Sequence, residues 1–85
     1  MTQREDIYAT LCRLLLPFNP NEVELTPATD ISADLSIDSV SVMDFVMEVE
    51  DHFEIDIPLN VLSETRTMND LVNVVEGRLK QKAHS

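Results

Sequence analysis

Leu35-Ser36-Ile37-Asp38-Ser39-Val40 leads directly into Ser41-Val42-Met43-Asp44-Phe45-Val46-Met47-Glu48-Val49-Glu50-Asp51-His52-Phe53. The second stretch is written in helical spacing. At 100° per residue, Val42, Phe45, Val46, Val49 and Phe53 share one face, which predicts a helix from Ser39 to Phe53 with that face in the core. A serine at the start of a helix stands among unpaired backbone N–H groups at the positive end of the helix dipole. Its hydroxyl is therefore a good place to attach a phosphate. The same position also suits a plain helix cap. Both readings stay open at this point, and the surroundings of Ser39 have to choose between them.

Val40, Met43 and Met47 fall on a different face of the same helix, rimmed by Asp44, Glu50 and Asp51. A small bundle seldom buries a helix on two sides, so this second stripe is expected to be exposed. An exposed apolar strip with an acidic rim reads as a docking surface, and methionine suits a surface that adapts to its partners. The competing reading is that Met43 or Met47 fills a gap in the core.

Working outward, Ile7, Leu11, Leu14 and Leu15, extended by Phe18, give a first helix over 5–16 that Pro17 and Pro20 end. Residues 17–38 show no clear period, and a connection that long in a small domain is uncommon and often functional. Val23, Leu25, Ile31 and Leu35 are expected to pin it to the core. Pro58 suits the first turn of a short helix over 58–64, with Val61 or Leu62 inward. Thr67 and Asp70 have capping-box spacing and open a last helix to about Lys80, with Met68, Leu71, Val72, Val75 and Leu79 on one face. The tail 81–85 is expected to fray. The fold class is all-α: a small four-helix bundle of three main helices and one short one, with a long first loop, forming a single domain over 1–85.

The formal net charge is −10, and its placement matters more than its size. Between Arg13 and Arg66 there is no Lys or Arg, while the interval holds twelve acids. Such a field repels nucleic acid and anionic membranes and speeds encounter with basic protein surfaces. No stretch is long and apolar enough to span a bilayer. The N-terminal residues lack the basic start and apolar run of a signal peptide, and a single cysteine fits a reducing compartment. A cytoplasmic protein is expected.

Catalytic readings find little support. The only glycine is Gly77, so there is no glycine-rich phosphate loop. One Cys and two His in separate segments make no zinc site, and Asp30, Asp34 and Asp38 lack calcium-loop spacing. Cys12 sits at the edge of the first helix's apolar face and reads as a buried inert thiol. His52 reads as a solvated or packing residue. No apolar pocket is evident to shift a pair of carboxylates into acid–base work.

Taken together, the apolar first helix, the long loop, Leu35-Ser36-Ile37-Asp38-Ser39-Val40, the acidic helix after it, Phe53 followed by Ile57-Pro58, and the final Thr67-Met68 helix resemble an acyl carrier protein. The resemblance covers most of the chain. It implies that Ser39 carries covalent 4′-phosphopantetheine, moved from coenzyme A by a separate phosphopantetheinyl transferase using Mg²⁺. The arm's thiol would hold acyl groups as thioesters, and the protein itself would turn nothing over. By the same resemblance, Asp38 belongs to the surface the transferase reads. Val40, Met43, Asp44, Met47, Glu50 and Asp51 would meet basic patches on acyl-transfer, condensing or other lipid or polyketide enzymes. Val42, Val46 and Ile57 would line the path of the acyl chain. A monomer is expected.

Two departures from the family pattern stand out. Ser36 occupies a place where the family commonly has glycine, which restricts the backbone before the helix, and Val40 occupies the leucine place. Leu59 and Asn60 stand where carriers of general fatty-acid synthesis have acids, which points to a different partner set in a dedicated pathway. The rival readings are an aminoacyl or peptidyl carrier, which more often has Gly-Gly before the serine's neighbour, and a non-carrier acidic helical adaptor in which Ser39 is only a cap.

Overall fold

The structure, a computed structural model, describes residues 3–20 and 22–84. Five α-helices follow one another: α1 (Gln3–Leu15), α2 (Ile31–Leu35), α3 (Ser39–Phe53), α4 (Leu59–Leu62) and α5 (Met68–His84), with a 3₁₀ turn at Leu16–Phe18 directly after α1. The three long helices are those the periodicity predicts. Two short helices stand where one is expected, because the first loop folds a turn of its own at α2.

The apolar faces converge on one core. Ile7, Leu11 and Leu15 from α1, Phe45, Val46 and Val49 from α3, and Met68, Leu71, Val72 and Val75 from α5 are all buried. Leu14, Phe18, Val42, Phe53 and Leu79 pack half-buried around them. The principal contact runs between α1 and α5, with α1 also against α3 and α2 against α3. Phe18 meets Phe45 edge-on, ring centroids 6.0 Å apart, a favourable arrangement of ring quadrupoles. Arg4 clamps α1 to α5: its guanidinium donates to Asn73 Oδ1 at 2.6 Å, Glu76 Oε1 at 3.1 Å and Asn69 Oδ1 at 3.1 Å.

The first loop is held at several points. Buried Asn19 brackets Val23, donating to its carbonyl and accepting its N–H, both at 3.0 Å. Buried Thr29 accepts the Thr26 N–H at 2.8 Å. Ile31 and Leu35 enter the core as expected, and Val23 and Leu25 lean on it. Asp30 and Thr67 then form an isolated antiparallel bridge, in which Ile31 N–H donates to Arg66 O and Met68 N–H to Thr29 O, each at 3.0 Å. This bridge ties the segment before α3 to the start of α5.

Helix ends follow from identifiable residues. Asp30 caps α2 through the Ala33 N–H. Thr67 and Asp70 form the expected capping box: Asp70 N–H donates to Thr67 Oγ1 at 3.1 Å and Thr67 N–H to Asp70 Oδ2 at 3.2 Å. Both α2 and α3 end in a left-handed residue, Ser36 (φ 54°, ψ 39°) and Glu54 (φ 54°, ψ 50°). At each end the next N–H reaches back five residues, from Ile37 to Ser32 O and from Ile55 to Glu50 O, the bond pattern of a Schellman stop.

Two boundaries differ from expectation. Pro58 is the N-cap of α4 rather than its first residue, and the helix proper is shorter than the 58–64 expected. The final helix does not stop at Lys80 but continues to His84, where nothing in its sequence breaks it. Ser85, the last residue of the tail expected to fray, lies outside the described residues.

Candidate functional site

The corner between α2 and α3 is set by three adjacent residues. Ser36 turns the chain in the left-handed region, half-buried Ile37 anchors it, and Asp38 in extended conformation caps α3. Asp38 Oδ1 accepts the Ser41 N–H at 2.8 Å. That bond holds the Asp38 carboxyl below the usual carboxylate range, so it is ionised at neutral pH.

This geometry corrects one reading of Ser39. The cap is Asp38, and Ser39 is the first residue inside the helix. Ser39 is exposed, and among the described residues its hydroxyl has no hydrogen-bond partner. The N–H groups of Ser39 and Val40 likewise find no acceptor there. A nucleophilic oxygen on the open end of a helix, beside free donors, can receive a phosphodiester whose oxygens meet those donors. An ionised carboxylate stands next to it, available to an approaching enzyme. From sequence, Asp38 reads only as a recognition residue. Its capping role is signalled by an N-cap residue type directly before the first periodic position, but Ser39 satisfies the same rule and sequence alone does not choose.

The second face of α3 is exposed as expected. Val40 is 68 % accessible, Met43 40 % and Met47 61 %, so neither methionine fills the core. Asp44 and Asp51 are exposed beside them. Glu50 is half-buried and also serves the fold, because its Oε2 accepts the Ile57 N–H at 2.7 Å and so ties α3 to the segment before α4. Met47, Glu48, Glu50, Asp51, Glu54, Ile55 and Asp56 surround an open concavity of about 620 Å³ on the C-terminal half of α3. Leu59 on α4 is 69 % accessible and Asn60 is exposed beside it, so both residues that depart from the acidic pattern face outward.

Of the three residues expected along an acyl chain, Val46 and Ile57 are closed into the core. Val42 is half-buried at its edge and opens onto a separate cleft. Cys12 is half-buried beside Tyr8, and burial pushes its thiol up, the opposite of an activated nucleophile. His52 is exposed, its ring edge-on to Phe53. Among the described residues no group of His, Cys, Asp and Glu is arranged to hold a metal ion, and no helix is long and apolar enough to cross a membrane.

The described residues thus form a small helical domain with an exposed serine at a helix start, without a hydrogen-bond partner among them, and an acidic, methionine-bearing face beside it. The chain belongs to the phosphopantetheine attachment site family, which it matches over residues 6–75. It is accordingly a non-catalytic carrier domain, and its prosthetic group is covalent 4′-phosphopantetheine. It is similar to a probable acyl carrier protein of Caulobacter vibrioides, with 40% identity over 53 residues. That alignment covers 62% of this chain and 62% of the relative, so the chain spans about three-fifths of the length of the curated relative it matches.

Proposed function

We propose that the chain acts as one acyl carrier domain, a monomer working in the cytoplasm, with Ser39 as the residue that bears the arm. The observation that carries this reading is the exposed Ser39 hydroxyl at the first position of α3, without a hydrogen-bond partner among the described residues, next to an ionised cap. In the loading step, Ser39 Oγ bonds to the phosphorus that bears pantetheine in coenzyme A. The pyrophosphate bond breaks, 3′,5′-ADP leaves, and the serine proton passes to the transferase. Acyl groups are then carried as thioesters on the arm's thiol. Val40, Met43, Asp44, Met47, Glu50 and Asp51 form the face read by the transferase and by acyl-handling enzymes with basic patches, and Asp38 marks the attachment point for the transferase. An acyl chain enters past Val42 toward Val46 and Ile57. Outward-facing Leu59 favours partners that present an apolar contact to α4, hence a dedicated lipid or polyketide pathway.

Intact mass after incubation with coenzyme A, Mg²⁺ and a broad-specificity phosphopantetheinyl transferase tests the assignment. One added phosphopantetheine on the wild type and none on Ser39→Ala is the expected result. Addition to Ser39→Ala would move the site elsewhere.

A further inference from the structure

Between buried Leu35 and exposed Val40 the chain turns the corner that presents Ser39. Ser32 ties this corner in three places. Its carbonyl accepts the Ser36 N–H and, at 3.2 Å, the Ile37 N–H, and its hydroxyl donates to Ile37 O at 3.4 Å. Ile37 packs half-buried against the core, and the Asp38 carboxylate is committed to capping α3. The polar side chains that the corner leaves exposed are Ser36, Asp38 and Ser39.

Ser36 is the one whose place the fold leaves unexplained. It stands in the left-handed region at φ 54°, where a Cβ crowds the following carbonyl and glycine would be at ease. Its hydroxyl has no hydrogen-bond partner among the described residues. Within the fold the side chain therefore brings crowding and no polar contact.

Its nearness to the attachment point gives it a use outside the fold. Three residues of chain span at most about 11 Å, so Ser36 lies within that distance of Ser39. A transferase that brings Ser39 to coenzyme A must cover the surface around the serine. A stable interface takes about 800 Å² from each partner, a disc about 16 Å in radius. Centred on Ser39, such a disc reaches past Ser36. The Ser36 hydroxyl, open to water in the free carrier, is then covered in the loading complex. A covered hydroxyl either gains a new partner or loses its water without replacement.

We propose that Ser36 is a specificity-determining residue for loading at Ser39. Its hydroxyl selects transferases that set a polar group opposite the corner and disfavours those that set an apolar one there. The proposal rests on Ser39 being the attachment residue, and it extends the recognised face to the N-terminal side of that serine. The ties at Ser32 fix the backbone at this point, so the hydroxyl is presented in a pre-organised place. Discrimination then runs in both directions. A matching transferase gains one net hydrogen bond, and a mismatched one strands the hydroxyl in a dry interface.

The test measures loading kinetics with coenzyme A and Mg²⁺ for two transferases, one of broad specificity and one of narrow carrier preference. The substrates are wild type, Ser36→Ala, Ser36→Gly and Ser36→Asn. Mass spectrometry first establishes one phosphopantetheine on the wild type and none on Ser39→Ala. Ser36→Ala keeps the Cβ and removes the hydroxyl, Ser36→Gly removes both, and asparagine is polar and tolerates the left-handed region. In both Ser36→Ala and Ser36→Gly the ratio of kcat/KM between the two transferases should shift about fivefold, the equivalent of one net hydrogen bond. The shift should sit in KM rather than kcat, as expected for a contact made equally before and during the reaction. Ser36→Asn should restore part of it. A ratio that stays put in both variants, whatever happens to the melting temperature, would overturn the proposal. A shift in Ser36→Gly alone would trace to backbone freedom and overturn it as well. No mass addition to the wild type, or addition to Ser39→Ala, would strike at Ser39 instead.

Discussion

Ser36→Gly should make the protein more stable. Ser36 holds φ 54° and ψ 39° at the stop of α2, a region that costs an L-residue roughly 1–2 kcal/mol because Cβ crowds the following carbonyl. Glycine escapes that cost, but its unfolded chain has more freedom to lose, worth about 0.5–1 kcal/mol. The difference leaves a gain of about 0.5–1 kcal/mol. Nothing offsets it in contacts, since the Ser36 side chain is exposed and makes no hydrogen bond among the described residues. For a domain of this size about 1 kcal/mol moves the melting temperature by roughly 4–8 °C, so a rise of about 2–8 °C is expected by circular dichroism. Glu54→Gly at the stop of α3 has nearly the same dihedrals (φ 54°, ψ 50°) and should behave alike. Ser36→Val places a β-branched residue where φ is positive and should lower the melting temperature. An unchanged or lower melting temperature in Ser36→Gly, or a stable Ser36→Val, would refute the argument from backbone crowding.

Added salt should raise the melting temperature between low ionic strength and about 0.15 M, where charges are screened beyond about 8 Å, because a chain of net charge −10 repels itself; a flat or falling curve would mean the acids are less crowded than their numbers suggest. Met47→Glu should leave stability near wild type, since Met47 is 61 % accessible, while slowing loading by the transferase; a large thermal loss would place Met47 in the core. Phe45→Ala removes a fully buried ring and should cost about 3–5 kcal/mol, read from urea melts. Asp38 and Asp70 are held below their ordinary values chiefly by backbone N–H groups, of Ser41 for Asp38 and of Thr67 and Arg66 for Asp70. A carboxyl depressed on folding stabilises above its unfolded pKa and loses that contribution as pH falls through the folded one. The gap in melting temperature between wild type and Asp38→Ala or Asp70→Ala should therefore narrow in acid; parallel curves at every pH would deny the caps their role.

The long helices are legible in the sequence because each repeats its apolar residues over several turns, as Ile7, Leu11 and Leu15 do in α1 and Phe45, Val46 and Val49 in α3. Five residues of α2 are too few to show a period. Its only local marks are the capping Asp30 and the stop at Ser36, and the second is a backbone angle rather than a residue type. The bridge between Asp30 and Thr67 and the bond from Ile57 N–H to Glu50 join segments distant in sequence, so no local rule announces them. At the candidate site the exposed stripe of Val40, Met43 and Met47 follows from helical geometry. Which of Asp38 and Ser39 caps the helix does not, because both are good caps and the choice depends on where Ser36 and Ile37 deliver the chain.

The Lys82 ammonium rests on the Phe53 carbonyl, which brings the end of α5 to the end of α3. Arg78 and Lys82 there share a cleft with Glu54 and Asp56, while Arg66 stands at the other end, in the cleft onto which Val42 opens. The cations nearest α3 are thus set at its two ends, and the helix between them carries Asp44, Glu48, Glu50 and Asp51 without a Lys or Arg. A basic surface drifting toward the molecule is drawn to that middle stretch rather than to either end. The search for a landing place is shortened before any contact is made.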